Sequence, residues 1–295
     1  MKKLLATDID GTITHQSHEI HSEVIAALYS LHASGWDIFF LTGRYYRYAI
    51  KLFKKLSIPF LLGCQNGAST WSSASQCLLY SQGISSEYLT CLQEGLEDAL
   101  ALLTVESGML YGDECYRFSP TPTAKLLHQY IDPRYFPNAE ERKILKETRS
   151  LKTDYPYPSF VAAKVFGKKE EVIRIQKEFQ KNDLFMSCMT MTLMRWPFDF
   201  QYAILFFTDR SISKGQAIDR IVDLLYYGNR PFIMTSGDDA NDIDLIQRGD
   251  FKIVMSSSPK DMHKYADFLA PPAKEKGILS AWAAGVNYYE KIMGF

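Results

Sequence analysis

The sequence Lys3-Leu4-Leu5-Ala6-Thr7-Asp8-Ile9-Asp10-Gly11-Thr12 decides how this chain is interpreted. Its first five residues form a short, mostly apolar run of the kind that becomes a buried strand. Gly11 then predicts a turn, because a residue without a side chain lets the backbone bend sharply. Asp8 and Asp10 are therefore expected at the carboxyl end of a strand, where ligands bind in open α/β sheets. Two close carboxylates repel when both are ionised, so the pair predicts a bound cation or a shared proton.

Length and composition indicate a folded protein of about two domains. The chain has 295 residues, 46% of them hydrophobic, and single cores seldom grow beyond about 250–300 residues. A formal net charge of −1 gives no general electrostatic reason to bind nucleic acid or an anionic membrane, so neither is expected as a partner. No apolar run approaches the roughly 20 residues of a membrane span. The five scattered cysteines form no C-x-x-C pair, which suits reduced thiols and an expected cytoplasmic location.

Strands and helices alternate in the first and last parts of the chain. Apolar runs predict strands at Lys3–Thr7, Asp37–Leu41 and Phe60–Cys64, and helical spacing predicts a helix from His18 to Leu31 between the first two. The same pattern resumes after Ser213 and ends in a helix at Ile278–Met293. This alternation predicts the α/β class, with a doubly wound, Rossmann-like parallel sheet covered by helices.

The middle of the chain breaks that alternation. We predict one helix over Ser86–Leu103 and a second, charged helix over Glu140–Leu151, among strands and loops. The section therefore indicates an α+β domain inserted into the first one. The predicted division is a core, residues 1–83 and 209–295, and an inserted domain, residues 84–208.

Residues that carry chemistry stand at the ends of the predicted strands and at one helix start. They are Asp8 and Asp10, Thr42-Gly43, Lys214, and Gly237-Asp238 followed by Asn241. In a doubly wound sheet such ends converge on one edge. Carboxylates suit Mg²⁺, which prefers hard oxygen ligands, and the ammonium, hydroxyl, backbone N–H and amide groups suit a phosphate. The set predicts a phosphate monoester bound beside Mg²⁺.

The same residues suit phosphoryl transfer through an aspartyl-phosphate. Asp8 is the candidate nucleophile, attacking phosphorus in line. Lys214 and the metal would offset the repulsion between carboxylate and phosphate. Asp10 would protonate the leaving alkoxide and then take a proton from the hydrolytic water.

The order and spacing of these motifs resemble those of the haloacid dehalogenase (HAD) superfamily. The matching residues are Asp8-x-Asp10-Gly11-Thr12, Thr42-Gly43-Arg44, Lys214-Gly215 and Gly237-Asp238-x-x-Asn241-Asp242. Asn66-Gly67-Ala68 and the insertion before Lys214 are similar to the Cof-type branch, which has a class IIB cap. The resemblance covers nearly all of the chain outside the insertion.

The resemblance implies a role for each matching residue. Asp8 would be the nucleophile and Asp10 the general acid and base. Mg²⁺ would be held by Asp8, the main-chain carbonyl of Asp10, and Asp238. Phosphate contacts would come from the Ile9 backbone, Thr42, Gly43, Lys214 and Asn241. Asp242 would orient Lys214 or a metal-bound water, and Arg44 is expected near the phosphate.

These observations favour a Mg²⁺-dependent phosphatase acting on small phosphorylated metabolites, with sugar phosphates as one candidate class. A phosphomutase or another phosphotransferase with the same nucleophile is an alternative, because it differs only in passing the phosphoryl group to a hydroxyl instead of water. A non-catalytic module that binds phosphate esters is a third, although intact Asp8, Asp10, Lys214 and Asp238 argue against it. The substrate and the oligomeric state, monomer or homodimer, are left open.

Overall fold

The computed structural model describes residues 1–15, 19–196 and 198–294. It divides into two compact units, one made of residues 1–79 and 213–295 and the other of residues 80–212. The boundaries expected from the sequence, 83/84 and 208/209, lie close to these junctions. Among the residues described, no helix is both long enough and apolar enough to cross a membrane.

Both units combine strands with helices. In chain order the strands are β1 (Lys3–Asp8), β2 (Trp36–Leu41), β3 (Leu61–Cys64), β4 (Ser69–Ser72), β5 (Cys77–Ser81), β6 (Ile84–Ser85), β7 (Ala101–Glu106), β8 (Cys115–Phe118), β9 (Leu145–Thr148), β10 (Ser159–Phe160), β11 (Ala162–Lys168), β12 (Met189–Arg195), β13 (Tyr202–Asp209), β14 (Phe232–Gly237), β15 (Phe251–Met255) and β16 (Phe268–Ala270). The helices are α1 (Ser22–Ala33), α2 (Tyr46–Ala49), α3 (Tyr88–Glu94), α4 (Pro122–Lys125), α5 (His128–Tyr135), α6 (Ala139–Arg142), α7 (Leu151–Asp154), α8 (Lys169–Phe179), α9 (Asp183–Cys188), α10 (Lys214–Tyr226), α11 (Ile243–Gln247) and α12 (Ile278–Met293).

An eight-stranded sheet forms the centre of the first unit, in the order β16-β15-β14-β1-β2-β3-β4-β5. Neighbours from β16 to β3 pair in parallel, and β4 pairs antiparallel with β3. Successive residues of a strand point to opposite faces. Accordingly Ile233 packs in the cluster that holds α10, whereas the ring of Phe232 lies 5.0 Å from that of Tyr289 in α12. Helices therefore cover both faces, and the predicted α/β fold is confirmed.

A six-stranded sheet forms the centre of the second unit, in the order β12-β13-β11-β7-β8-β9. Its pairs are antiparallel except for β8 with β9. One face of the sheet packs against α3 and α8 in a single apolar cluster that includes Leu103, Val165 and Leu205. Strands and helices are thus combined in an α+β arrangement.

Two of the predicted helices in this unit are wrong. The segment Ser86–Leu103 forms α3 and then enters β7, and Glu140–Leu151 contains α6 and then β9. Leucine and alanine favour helices locally, but residues 101–103 pair with β11 and are fully buried, and such packing overrides propensity. In the first unit, the helix predicted from His18 begins at Ser22; His18 lies outside the described residues.

We expect the substitution Leu205→Ala to destabilise the second unit strongly. Leu205 is fully buried in the apolar cluster, and deleting such a side chain costs about 2–5 kcal/mol in lost burial and cavity formation. Leu110→Ala is the matched control, because Leu110 is 62% exposed and surface changes usually stay within about 0.5 kcal/mol. Urea unfolding followed by circular dichroism measures both. Equal shifts in the two variants would contradict the assigned core.

Candidate active site

The loop after β1 brings two carboxylates to the carboxyl edge of the first sheet. The Ile9 carbonyl accepts hydrogen bonds from the backbone N–H groups of residues 12–14. This tight coil includes Gly11 at φ +82°, a conformation that glycine adopts without strain. Asp8 is buried within it, whereas the Asp10 side chain is 45% exposed.

Gly11 also makes room for the carboxylate of Asp238. Asp238 follows β14, the neighbour of β1 in the sheet. A Cβ atom at Gly11 would lie 2.6 Å from the Cγ atom of Asp238. Any side chain at position 11 would therefore displace this carboxylate.

Lys214 links the two strand ends through a buried ammonium group. It occupies the first turn of α10, where Ser213 caps the helix by accepting a hydrogen bond from the backbone N–H of Gln216. Its Nζ donates to Asp8 Oδ1 over 2.5 Å and to Asp242 Oδ1 over 2.6 Å. The Lys214 side chain is only 1% exposed.

Asp242 uses both carboxylate oxygens to hold this arrangement together. While Oδ1 accepts from Lys214, Oδ2 accepts from the backbone N–H groups of Asp238 and Asp239 at 2.9 and 3.1 Å. Asp239 in turn caps the 3-10 turn Ala240–Asp242. Asp242 therefore orients both Lys214 and the backbone that carries Asp238.

Burial and charge shift the proton affinities of the central pair. Burial raises the pKa of Asp8 to about 7, the charges of Asp242 and Asp10 adding to the effect while Lys214 opposes it. Burial alone would lower the pKa of Lys214, but the carboxylates of Asp242 and Asp8 raise it above its usual value. The carboxylates thus keep Lys214 cationic, and burial is the main reason why the pKa of Asp8 is raised.

The acidic residues fit a divalent cation. Carboxylate oxygens of Asp8, Asp238 and Asp242 lie within 4.8 Å of one another. When all three are ionised, three negative charges face the single positive charge of Lys214, so an excess of two remains. Hard oxygen ligands carrying this charge suit Mg²⁺. The carboxylate of Asp10 is not in this group.

Asp10 is instead bound by Arg44. Arg44 Nε donates to Asp10 Oδ2 over 2.7 Å, and its Nη2 donates to Oδ1. The guanidinium of Arg44 lies 4.4 Å from the centre of the Tyr48 ring, and its backbone N–H donates to Thr42 Oγ1 over 3.1 Å. Arg44, expected near the phosphate, thus contacts the predicted general acid.

The remaining predicted residues lie along the same edge. Thr42 is buried at the end of β2 and Gly43 is half-buried beside it. Asn241 lies in the 3-10 turn after β14, and its Nδ2 donates to Asn66 Oδ1 over 3.0 Å. The sequence matched Asn66-Gly67-Ala68 to the Cof-type branch but did not predict this contact, because a short motif does not say which distant side chain it meets.

A model of the haloacid dehalogenase-like hydrolase family matches residues 5–281 of the chain. The chain belongs to this family. The predicted family and its hydrolase class are therefore confirmed.

One curated relative aligns with only part of this chain. An HMP-PP phosphatase from Cronobacter sakazakii is 29% identical over 112 residues, which is 37% of this chain and 41% of the relative. The alignment thus spans less than half of that protein.

Solved structures cover nearly the whole chain at lower identity. A Streptococcus mutans protein has a TM-score of 0.78 at 17% identity, over 97% of this chain and 100% of its own. A haloacid dehalogenase-like hydrolase from B. subtilis has a TM-score of 0.72 at 21% identity, over 94% of this chain and 97% of its own. A sugar phosphatase of HAD subclass IIB has a TM-score of 0.71 at 20% identity, over 96% of this chain and 98% of its own. At these identities the likeness shows a shared fold.

We expect Gly11→Ala to weaken Mg²⁺ binding, with Gly35→Ala as a matched control. Both glycines have a positive φ, +82° and +84°, so each variant bears a similar strain of about 1–2 kcal/mol. Only at Gly11 does the added Cβ meet the Asp238 carboxylate; at Gly35 the nearest atoms are those of the Lys3 side chain, 3.9 Å away.

Isothermal titration with MgCl₂ and thermal unfolding separate the two effects. We expect comparable losses of stability, and a loss of metal affinity in Gly11→Ala alone. Equal metal affinity in both variants would show that Asp238 does not contribute to the cation site.

Proposed function

We propose that this chain is a Mg²⁺-dependent phosphatase that hydrolyses small phosphorylated metabolites through an aspartyl-phosphate on Asp8. The proposal rests on the hydrogen bonding of the two oxygens of the Asp8 carboxylate. Its Oδ1 is fixed by Lys214, while its buried Oδ2 accepts no hydrogen bond within the described residues. A buried, oriented and unpartnered carboxylate oxygen is suited to attack on phosphorus.

Charge distribution supports a phosphate as the group that is attacked. Lys214 supplies a buried cation beside Asp8, where it would offset the repulsion between carboxylate and phosphate. We assign phosphate contacts to Lys214, the Thr42 hydroxyl, the Asn241 amide and the backbone N–H groups of Ile9 and Gly43. Bound Mg²⁺ would neutralise further negative charge, held by Asp8, Asp238 and the main-chain carbonyl of Asp10.

Asp10 is the candidate general acid and base. Nearly half of its side chain is exposed, so a substrate can reach it, and Arg44 orients both of its oxygens. We propose that Asp10 turns one oxygen from Arg44 to the leaving group and is protonated there. It then donates that proton to the departing alkoxide and, as the resulting carboxylate, later accepts a proton from the attacking water.

The comparisons support this reaction class without defining the substrate. One relative is named as an HMP-PP phosphatase and one structure of similar fold is a sugar phosphatase. We propose phosphorylated metabolites, with sugar phosphates as one candidate class, and assign their selection to the inserted segment, residues 84–208. Product analysis distinguishes hydrolysis from transfer of the phosphoryl group to a sugar hydroxyl.

We expect the purified protein to hydrolyse p-nitrophenyl phosphate with Mg²⁺, and to lose this activity with EDTA. Asp8→Asn removes the nucleophile and should lower kcat by at least about 10³-fold. Asp223→Asn is the matched control, because Asp223 lies exposed on α10 and should leave kcat unchanged. Steady-state kinetics and release of inorganic phosphate measure the effect.

The outcome separates three functions. Phosphate release supports a hydrolase, and transfer from a hexose 1-phosphate to another hydroxyl would identify a phosphotransferase. A wild-type protein inactive on p-nitrophenyl phosphate and on a broad panel of phosphorylated metabolites would refute the proposal.

We expect Arg44→Met to lower kcat by about 10- to 100-fold with little change in KM, because a lost hydrogen-bonded ion partner is worth about 1.5–3 kcal/mol. Arg44→Lys should not restore kcat, since an ammonium cannot bind both carboxylate oxygens as a planar fork does. Arg47→Met is the control for a nearby exposed arginine. A raised KM with unchanged kcat would instead show that Arg44 binds the substrate.

A further inference from the structure

The 3-10 turn Gln65–Gly67 follows β3 and joins the edge that carries the proposed reaction, yet none of the roles assigned above uses it. The backbone N–H of Gln65 donates to the Arg44 carbonyl over 3.0 Å. The backbone N–H of Asn66 donates to the Thr42 carbonyl over 2.8 Å. The turn is thereby fastened to the segment that follows β2.

This turn has an uncommon backbone conformation. Gln65, Asn66 and Gly67 have φ values of +47°, +56° and +90°, and left-handed conformations are unusual for residues other than glycine. A Cβ at Gly67 would lie 2.5 Å from that of Ala217, so the turn packs closely on α10. Such strain concentrates at functional sites.

The side chains in the turn are polar and buried. Gln65 is fully buried and its amide nitrogen and oxygen have no hydrogen-bond partner in the described part of the chain. Asn66 is 5% exposed and accepts the hydrogen bond from Asn241 Nδ2 at 3.0 Å. Glycine would fit this backbone conformation without strain, but it has no side chain to accept the hydrogen bond from Asn241.

The contact with Asn66 limits the orientation of the Asn241 amide. An amide nitrogen carries two N–H groups in one plane. With one of them directed at Asn66, the direction of the second is set by geometry. Asn66 is therefore bonded to two of the proposed phosphate-binding residues, to Thr42 through its backbone and to Asn241 through its side chain.

We propose that Asn66 is a positioning residue that orients the amide of Asn241 toward the phosphate group of the substrate. This inference rests on the proposed function and assigns a role to Asn66, which the resemblance to the Cof-type branch included without giving it a function. It predicts energetic coupling between Asn66 and Asn241, which a turn that only stabilises the fold would not produce.

A double-mutant cycle tests the coupling. Asn66→Gly removes the acceptor but keeps a residue that adopts the same backbone conformation. We expect it to reduce kcat/KM about tenfold, because one hydrogen bond to a charged group is affected. Asn241→Ala should reduce kcat/KM by the same factor or more, and the double variant should be no worse than Asn241→Ala.

Gln76→Gly is the matched control. Gln76 also has a positive φ, +53°, but lies exposed in the β4–β5 turn. It reproduces the backbone effect of a glycine substitution and should leave kcat/KM unchanged. Thermal unfolding of all variants identifies any that fail to fold.

Titration with inorganic phosphate in the presence of Mg²⁺ gives a second measurement that does not depend on turnover. We expect the phosphate affinities of Asn66→Gly and Asn241→Ala to fall together without adding up in the double variant. Losses that multiply, or unchanged affinity in Asn66→Gly, would overturn the inference. If the wild-type protein binds phosphate but hydrolyses no ester, the proposed function fails while the coupling is still decided by affinity.

Discussion

The buried ion pair of Lys214 with Asp8 and Asp242 is the interaction on which the rest of the site depends. An ammonium that is 1% exposed is tolerated only when it is paired and hydrogen-bonded, because isolated buried charges are very unfavourable. Its two partners come from the end of β1 and from the turn after β14, so three segments distant in sequence must meet at one point. Removing either carboxylate would leave the buried ammonium under-compensated.

That requirement explains the residues around the pair. Asp242 can face Lys214 because two backbone N–H groups bind its second oxygen. Position 11 accommodates only glycine because the Asp238 carboxylate occupies the space that a side chain would need. The resulting cluster has more negative than positive charge. Burial first, and the neighbouring carboxylates second, raise the pKa of Asp8 to about 7. A cluster in this state is stabilised by an additional cation.

The sequence allowed the core chemistry to be predicted because the relevant residues follow strands whose order is constrained. Asp8, Lys214 and Asp238 could be placed together because parallel strands present their carboxyl ends at one edge. The pairing of Arg44 with Asp10 could not be predicted, since the rotamer of a long side chain depends on packing such as its contact with the Tyr48 ring. Asn66 was likewise matched to the Cof-type branch, and only the fold shows that its side chain reaches Asn241.

The inserted unit shows the opposite case, in which local sequence is a poor guide. Its residues 101–103 carry helix-favouring side chains and still form the first half of strand β7, where they pair with β11 and are fully buried. The pair of buried Glu106 with partly buried Lys164 on adjacent strands of the same sheet also depends on register and not on a motif. By contrast, the hydrogen bonds described above for Lys214, Asp242 and Asn241 lie within residues 1–79 and 213–295. The candidate site is therefore built from short motifs that the sequence displays, whereas the inserted unit, to which we assign substrate selection, depends on long-range pairings that the sequence does not display.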